Sequence, residues 1–217
     1  MGVIDAIRDR FSGEIIVVDD GSTDETPRLL ASRDDIAVVH LDYNRGYGCA
    51  LKVGFSIAHD IGVSRLITMD VDGQHEPAHI PQFFAALDEG GDIISGSRYL
   101  AENGGGDPAP EDRRDINSRI TAMVNSATGW NLTDTFCGFK AYRVDVLEKL
   151  DLNECGYAMP LELWAKSWAH GLDVREIAVE RIYCDHDRSF GKELDDPEVR
   201  YAYYLEVWDR ALKEARA

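Results

Sequence analysis

Residues 14–25, EIIVVDDGSTDE, and residues 65–77, RLITMDVDGQHEP, decide the fold. In each, a short β-branched run too brief for a helix gives way to carboxylates and then to a helix signal. Ser22 and Glu25 stand at the spacing of a capping box, and Pro77 opens a stretch of helical period to Leu87. Outward from these two stretches, strands are expected over 14–19, 36–41, 65–69 and 92–95, with a further helix over 50–58. Strands alternating with helical segments are joined by crossovers and therefore run parallel. The expected fold class is α/β, a doubly wound, mostly parallel sheet flanked by helices.

The second half is less regular. Residues 101–112, AENGGGDPAPED, hold no apolar side chain larger than Ala and predict a loop. A helix over 113–128, an extended stretch over 135–142, a helix over 161–169, a strand over 174–183 and a helix after Pro197 follow. Within the helix over 161–169, Trp164, Trp168 and Leu161 sit at helical spacing and are expected in the core.

The chain has 217 residues, 44% of them hydrophobic, enough for one domain with its own core. A net charge of −17 excludes sequence-independent binding to nucleic acid, which needs clustered Lys and Arg. The longest apolar runs are far short of the roughly 20 residues that span a bilayer. No leader with a basic start and an apolar middle is visible, so a cytoplasmic protein is expected. The four cysteines, Cys49, Cys137, Cys155 and Cys184, show no C-x-x-C spacing and read as reduced, packed thiols.

In open α/β sheets ligands bind beyond the carboxyl ends of strands. Asp70, Asp72 and Gln74 follow one such end in the order D-x-D-x-Q. Two carboxylates and an amide there suit Mg2+ or Mn2+, since a hard cation takes a few protein oxygens and completes its shell with substrate phosphates. His75 is expected beside that group rather than within it. Gly46 and Gly48 are consistent with a phosphate cradle and equally with a tight strand-to-helix turn.

Seven stretches, IIVVDDGSTD (15–24), NRGYGCA (44–50), MDVDGQHEP (69–77), GSRY (96–99), RDINS (114–118), DTFCGFKAYR (134–143) and DRSFGK (187–192), resemble in order and spacing the motifs of family-2 glycosyltransferases with the GT-A fold. The similarity is greatest to dolichyl- and polyprenyl-phosphate mannosyl- and glucosyltransferases and covers residues 14–192. It implies a metal-dependent, inverting transfer of a sugar from a nucleoside-diphosphate sugar, GDP-mannose or a UDP-sugar, to a polyprenyl or dolichyl phosphate. It places Val18 and Asp20 on the nucleotide base, Val71 beside the metal carboxylates on the donor diphosphate, and Arg98 in the donor site. Arg114, Ser118 and Arg188 match the clamp on the acceptor phosphate, with Arg113 and Arg119 as competitors for the first of these roles. Asp134 matches a residue that, in relatives with hydroxyl acceptors, removes the acceptor proton. A phosphate acceptor, with a second pKa of about 6, needs no such base. The acceptor implies contact with the periphery of the membrane's inner face.

Two departures from the family are visible. The family's domains begin with an apolar strand, whereas this sequence begins with Val3, Ile4, Ile7 and Phe11 on one face of a helix. A single domain lacking the first strand is expected, with the neighbours of that strand left unpaired. Glu193 adds a negative charge beside the expected acceptor site. Sugar transfer to a hydroxyl acceptor and non-catalytic binding of a nucleotide sugar are therefore the alternatives.

Overall fold

The computed structural model describes residues 2–100, 106–183 and 189–216. Helix α1 (Gly2–Arg8) leads into β1 (Ile16–Asp19), α2 (Thr26–Ala31), β2 (Ala37–His40), α3 (Tyr47–Asp60) and β3 (Arg65–Thr68). Then come α4 (Ile80–Asp88), β4 (Ile93–Ser97), α5 (Glu111–Thr128), β5 (Lys140–Arg143), α6 (Val144–Leu147), α7 (Met159–Ala169), β6 (Val174–Ala178) and α8 (Pro197–Ala215).

The strands form two hydrogen-bonded pieces. β1 pairs in parallel with β2, and a second sheet has the order β3-β5-β4-β6. β4 and β6 are parallel, while β5 runs antiparallel to both β3 and β4. β3, β4 and β6 thus share one direction, and β5 is the reversed strand between them. Its burial explains its place: Ala141 and Tyr142 are within 1% of fully buried and point to opposite faces.

Those faces define two cores. Tyr142 and Ile93 pack with α3, α5, α7 and α8 through Phe55, Ile120, Trp164 and Trp208. Ala141 and Ile94 pack under α4 through Phe83 and Leu87, with Ile7 and Phe11 near α1 against the same cluster. Trp164 and Leu161 are core residues, as expected; the Trp164 indole donates to the Thr135 carbonyl at 2.9 Å. Trp168 is only partly buried.

Two local expectations are corrected. No capping box forms at Ser22: helix α2 starts at Thr26, and Glu25 makes no side-chain cap. The backbone N–H of Ser22 instead donates to Asp19, and that of Thr26 to Asp24, so nearer carboxylates satisfy the loop first. The cysteines also differ from expectation. Cys49 and Cys155 form a disulfide, which ties the start of α3 to the turn before α7. Two glycines permit this approach. A Cβ on Gly46, whose φ is +99°, would lie 2.4 Å from the Cys155 carbonyl oxygen, and one on Gly48 would lie 2.6 Å from that of Glu154. The turn reading of Gly46 and Gly48 therefore has a specific packing cause. Cys137 is a free, buried thiol whose pKa burial pushes up to about 11. Cys184 lies outside the described residues.

Two glycines of α3 give a paired test. Gly48→Ala is expected to destabilise the protein by about 1–3 kcal/mol through overpacking, despite alanine's helix preference. At Gly54 the nearest atom to an added Cβ is a Val18 methyl at 4.0 Å. Gly54→Ala should therefore stabilise by about 0.5–1 kcal/mol. Urea denaturation of the two variants beside the parent measures both.

Candidate functional site

The end of β3 delivers Asp70 to the junction of two cavities. Thr68 hydroxyl fixes that end by donating to the Gly138 carbonyl at 2.9 Å. A Cβ at Gly138 would lie 2.7 Å from Asp70 Oδ2, so only glycine leaves the carboxylate its place. The Asp70 backbone N–H donates to His75 Nδ1 at 3.0 Å, and the imidazole stacks on Phe139. Burial lowers the pKa of His75, against the pull of Asp70 and Asp72, so the ring is neutral at pH 7 with its proton on Nε2. It braces the carboxylate loop without adding charge. Downstream, Asp72 Oδ1 accepts the Gln74 N–H at 3.0 Å, and Asp72 itself is exposed.

Asp70, Gln74 and His75 form one end of a cavity of about 130 Å³. Arg98, Arg113 and Arg200 stand in the same wall. Arg98, at the end of β4, grips Asp134 through Nε at 2.6 Å and Nη2 at 2.9 Å, and its backbone N–H adds a third contact at 3.2 Å. Asp134 Oδ1 also accepts from Asn117 Nδ2 at 2.8 Å and from the Phe136 N–H at 3.1 Å. Burial alone would raise the pKa of the fully buried Asp134, but the charge and hydrogen bonds of Arg98 outweigh it and leave it lowered. Behind the pair, Glu176 of β6 accepts from the Thr133 N–H, the Thr133 hydroxyl and the Asp134 N–H at 2.8 to 3.0 Å. Burial raises the Glu176 pKa. Lys140, buried beside this group, has its pKa lowered by the same cause.

Helices supply much of the remaining lining of this cavity. In α5 the face with Arg113, Ile116 and Asn117 lines the cavity, whereas Arg114 and Ser118, one position round, are exposed and lie outside the lining. Arg113 sits 4.9 Å over the Phe190 ring and Arg200 sits 4.6 Å over it. Arg200 is also held by Asp112 at 2.6 Å. Arg188 and residues 101–105 of the glycine stretch lie outside the described residues. The described remainder of that stretch is fastened: Asp107 N–H donates to the Arg181 carbonyl at 2.7 Å, and Tyr183 N–H donates to Asp107 at 2.8 Å.

Of the expected donor residues, Arg98 meets Asp70 and Gln74 in this cavity. Val18, Val71 and Asp72 line the neighbouring one. Asp20 lines neither; its carboxylate accepts the N–H groups of Arg45 at 2.7 Å and Gly46 at 2.8 Å and so joins the two loops. Arg200 was not legible as a site residue, because no motif marks it and only helix packing brings it in; Asn117 lies within the stretch RDINS (114–118), from which Arg114 and Ser118 were chosen instead.

The donor set fits a divalent ion. Asp70 and Asp72 would offer two hard carboxylate oxygens, both in the lining of the neighbouring cavity, and among the described residues no group of three His, Cys, Asp or Glu closes a metal site. Such a pair leaves coordination positions for substrate phosphates.

A model of the family described as glycosyl transferase family 2 matches residues 3–151. The chain is 34% identical over 175 residues to polyprenol monophosphomannose synthase of Mycolicibacterium smegmatis, a match covering 76% of this chain and 65% of that protein. It is 29% identical to undecaprenyl-phosphate mannosyltransferase of Micrococcus luteus, covering 76% of this chain and 70% of that protein. It is 32% identical to undecaprenyl-phosphate 4-deoxy-4-formamido-L-arabinose transferase of Proteus mirabilis, covering 82% and 54%. The chain thus spans 54% to 70% of the length of these relatives. Glucosyl-3-phosphoglycerate synthase from Mycobacterium tuberculosis, solved with Mn2+, UDP-glucose and phosphoglyceric acid, superposes with a TM-score of 0.73 at 19% identity, over 97% of this chain and 74% of that one. The GT-A-type α/β fold expected from the sequence is the fold observed.

The buried ion pair predicts its own test. Asp134→Asn should destabilise by about 3–5 kcal/mol, because Arg98 is left charged and mostly buried, and Arg98→Met with Asp134→Leu should recover most of that loss. The lowered pKa of Asp134 sets the sign with pH: its contribution is present above the unfolded value of 3.8 and is lost as pH falls through the folded value below it. Urea titrations from pH 7 down to pH 2 should show a smaller acid-side loss in the double variant than in the parent, the remainder coming from other carboxylates with lowered pKa such as Asp19, Glu154 and Glu180.

Proposed function

The chain belongs to glycosyl transferase family 2, and from that membership we propose that it moves a sugar from a nucleoside-diphosphate sugar to a polyprenyl or dolichyl phosphate with inversion at the anomeric carbon. The observation that carries this reading is the single cavity with carboxylates Asp70 and Asp72 at or beside one end and guanidiniums Arg98, Arg113 and Arg200 in its wall. Asp70 and Asp72, with Gln74 beside them, would hold a Mg2+ or Mn2+ ion, which would supply positive charge to the leaving diphosphate. Arg98 stands where it can bind a donor phosphate oxygen. Arg113 and Arg200, braced by Phe190 and Asp112, suit the oxygens of an acceptor phosphate.

In the transfer, an acceptor phosphate oxygen attacks the anomeric carbon, and the bond to the nucleoside diphosphate breaks with its electron pair going to the diphosphate. No proton needs to be removed, because the acceptor is already largely a dianion at neutral pH. The surroundings of Asp134 favour this acceptor over a hydroxyl. Its two oxygens accept five hydrogen bonds from Arg98, Asn117 and Phe136, and its pKa is lowered, both of which make it a poor base. Asp134 then acts by positioning Arg98. The family's remaining assignments, Val18, Asp20 and Val71 at the nucleotide and Arg114, Ser118 and Arg188 near the acceptor, stand as parts of the same proposal. No helix among the described residues is long and apolar enough to cross a membrane. A lipid-linked acceptor places the work at the cytoplasmic membrane face.

Transfer of radiolabelled mannose or glucose from GDP-mannose or UDP-glucose to a short polyprenyl phosphate, with Mn2+, tests the reading. EDTA should abolish product, and Asp72→Asn should lower kcat/KM about a hundredfold while leaving thermal stability intact. Failure to bind or turn over any nucleotide sugar with the metal present would leave only a non-catalytic role.

The acceptor assignment has a discriminating pair. Arg113→Met should raise KM for polyprenyl phosphate about tenfold or more, the loss of one charged hydrogen bond, whereas Arg114→Met should change it by less than about twofold. Equal effects would remove the reason for preferring the inward face of α5.

A further inference from the structure

Each half of the Cys49–Cys155 disulfide stands two residues from an aromatic side chain that lines the cavity of Asp70 and Arg98, Tyr47 on one side and Tyr157 on the other. The two rings stack with centroids 5.9 Å apart. Contacts run from them in both directions. Tyr157 meets Phe190 edge-on at 5.5 Å, and Phe190 is the ring against which Arg113 and Arg200 lie. Toward the other end, the Tyr47 hydroxyl and Asp70 Oδ2 converge on one point, 3.0 and 2.7 Å from where a Cβ on Gly138 would stand.

The loop that carries Cys155 is held on its far side without the disulfide. Glu162 accepts the N–H groups of Asn153 and Glu154, and Glu154 accepts those of Cys155 and Gly156 together with the Tyr203 hydroxyl. On its near side the tie to α3 is the disulfide, the Gly48 and Cys49 N–H groups donating to the Cys155 carbonyl at 2.8 and 3.3 Å, and Lys52 donating to the Asn153 carbonyl at 2.7 Å. Opening the bond therefore loosens one seam, between α3 and residues 153–157, and leaves the loop anchored to α7 and α8.

The surroundings of the two sulfurs favour their thiolates. Cys49 is the third residue of α3, where the helix N-terminus stabilises negative charge. Lys52, one turn further on, brings its ammonium to 3.5 Å from Cys155 Sγ. Whatever stabilises the thiolates stabilises the reduced pair and makes the disulfide easier to reduce. Access favours Cys155, which is partly exposed, over Cys49, which is buried.

We propose that Cys49 and Cys155 are a redox-active pair that exchanges with small thiols, and that its state sets the grip on the acceptor phosphate; the second half rests on the reading of Arg113 and Arg200 as acceptor ligands. A thiolate attacks Cys155 Sγ, the S–S bond breaks, and Cys49 leaves with the electron pair. A second thiolate then attacks the small-thiol sulfur of the mixed disulfide and Cys155 leaves in turn. Two electrons have passed to the pair, the two small thiols end as their own disulfide, and their protons go to solvent. Exchange with that disulfide runs the steps back. In the oxidised form Tyr47 and Tyr157 are locked together and hold Phe190 under the two guanidiniums. In the reduced form the stack slides and the guanidiniums lose their common support.

The test equilibrates the folded protein with reduced and oxidised glutathione, traps thiols by alkylation and maps them by mass. Cys49 and Cys155 should pass from disulfide to thiols together within the range that glutathione buffers, whereas a purely structural disulfide resists it. Lys52→Met should need about threefold or more extra reduced glutathione for the same reduction, and Lys52→Arg should behave as the parent. Hydrogen exchange at the Gly48 and Cys49 amides, which report the seam directly, should be about tenfold faster in the reduced protein. The KM for a short polyprenyl phosphate should rise about fivefold on reduction, the weakening of one charged hydrogen bond. The double variant Cys49→Ser with Cys155→Ser, its fold checked by circular dichroism, should show the reduced parent's KM and no response to glutathione. A pair that stays oxidised until the protein is denatured, exchange at Gly48 and Cys49 that ignores reduction, or a KM that is the same in both forms would each overturn the proposal. The thiol mapping and the exchange need no substrate, so they decide the redox pair separately from the transferase reading.

Discussion

The bidentate ion pair between Arg98 and Asp134 is the constraint on which the rest of the site depends. Asp134 is fully buried, whereas the Arg98 side chain is 21% exposed, so the carboxylate requires the guanidinium: a lone carboxylate at that depth would be strongly unfavourable. Meeting this requirement fixes several elements at once. Arg98 leaves the end of β4, Asp134 precedes β5, Asn117 reaches in from α5, and Glu176 reaches in from β6 to hold the backbone N–H groups of Thr133 and Asp134. The cavity beside Asp70 keeps its shape because these four segments share one hydrogen-bond network. In a chain with a net charge of −17, this is also where cations are gathered: Arg98, Arg113, Lys140 and Arg200 lie among Asp70, Asp134 and Glu176. The local balance, and not the overall charge, sets what can bind there.

The reversed strand β5 has the next largest consequence. By sitting between β3 and β4 it brings Gly138 against Asp70 and carries Phe139 under His75, so the carboxylate loop rests on the strand that leads away from Asp134. The metal end and the arginine end of the cavity are thereby joined through residues 134–139. A change at either end is felt at the other through backbone with little freedom to move, since Cys137 and Phe139 are buried on one side and Thr135 is held by the Trp164 indole on the other.

The N-terminal piece is attached differently. β1 and β2 reach the larger sheet through α3, the Cys49–Cys155 disulfide and the loop contacts of Asp20, with no strand pairing to β3. The close approach of residues 46–48 to residues 154–155 does for this half what the ion pair does for the other. It holds Tyr47 against Tyr157 at the cavity wall. Apolar residues Ile16, Val17 and Val18 stay only partly buried, which is what an open edge produces in a strand whose sequence is that of an interior one.

The sequence by itself determined the elements and the chemistry of the loops. The β-branched runs before Asp19 and Asp70 and the proline-opened helical stretch up to Leu87 are local signals, read from residues that interact within a few positions of one another. The D-x-D-x-Q order placed carboxylates at a strand end for the same reason. The resemblance also implied a strand whose neighbours would be left unpaired; among the described residues β1 pairs with β2 and β3 with β5. Only the tertiary structure decided which side chains meet. The capping box yielded to Asp19 and Asp24 because competing acceptors lay nearer in space. Cys49 and Cys155 joined across 106 residues because two glycines let their backbones touch. Arg113 rather than Arg114 faced the cavity because the helix phase is set by burying Ile116 and Ile120. Arg200 entered from the far end of the chain because α8 packs on α5 and α7. The first of these outcomes is local, since Asp19 and Asp24 lie two or three residues from the N–H groups they accept; the other three turn on distances of a few ångströms between segments far apart in sequence, and periodicity and spacing carry no information about such distances.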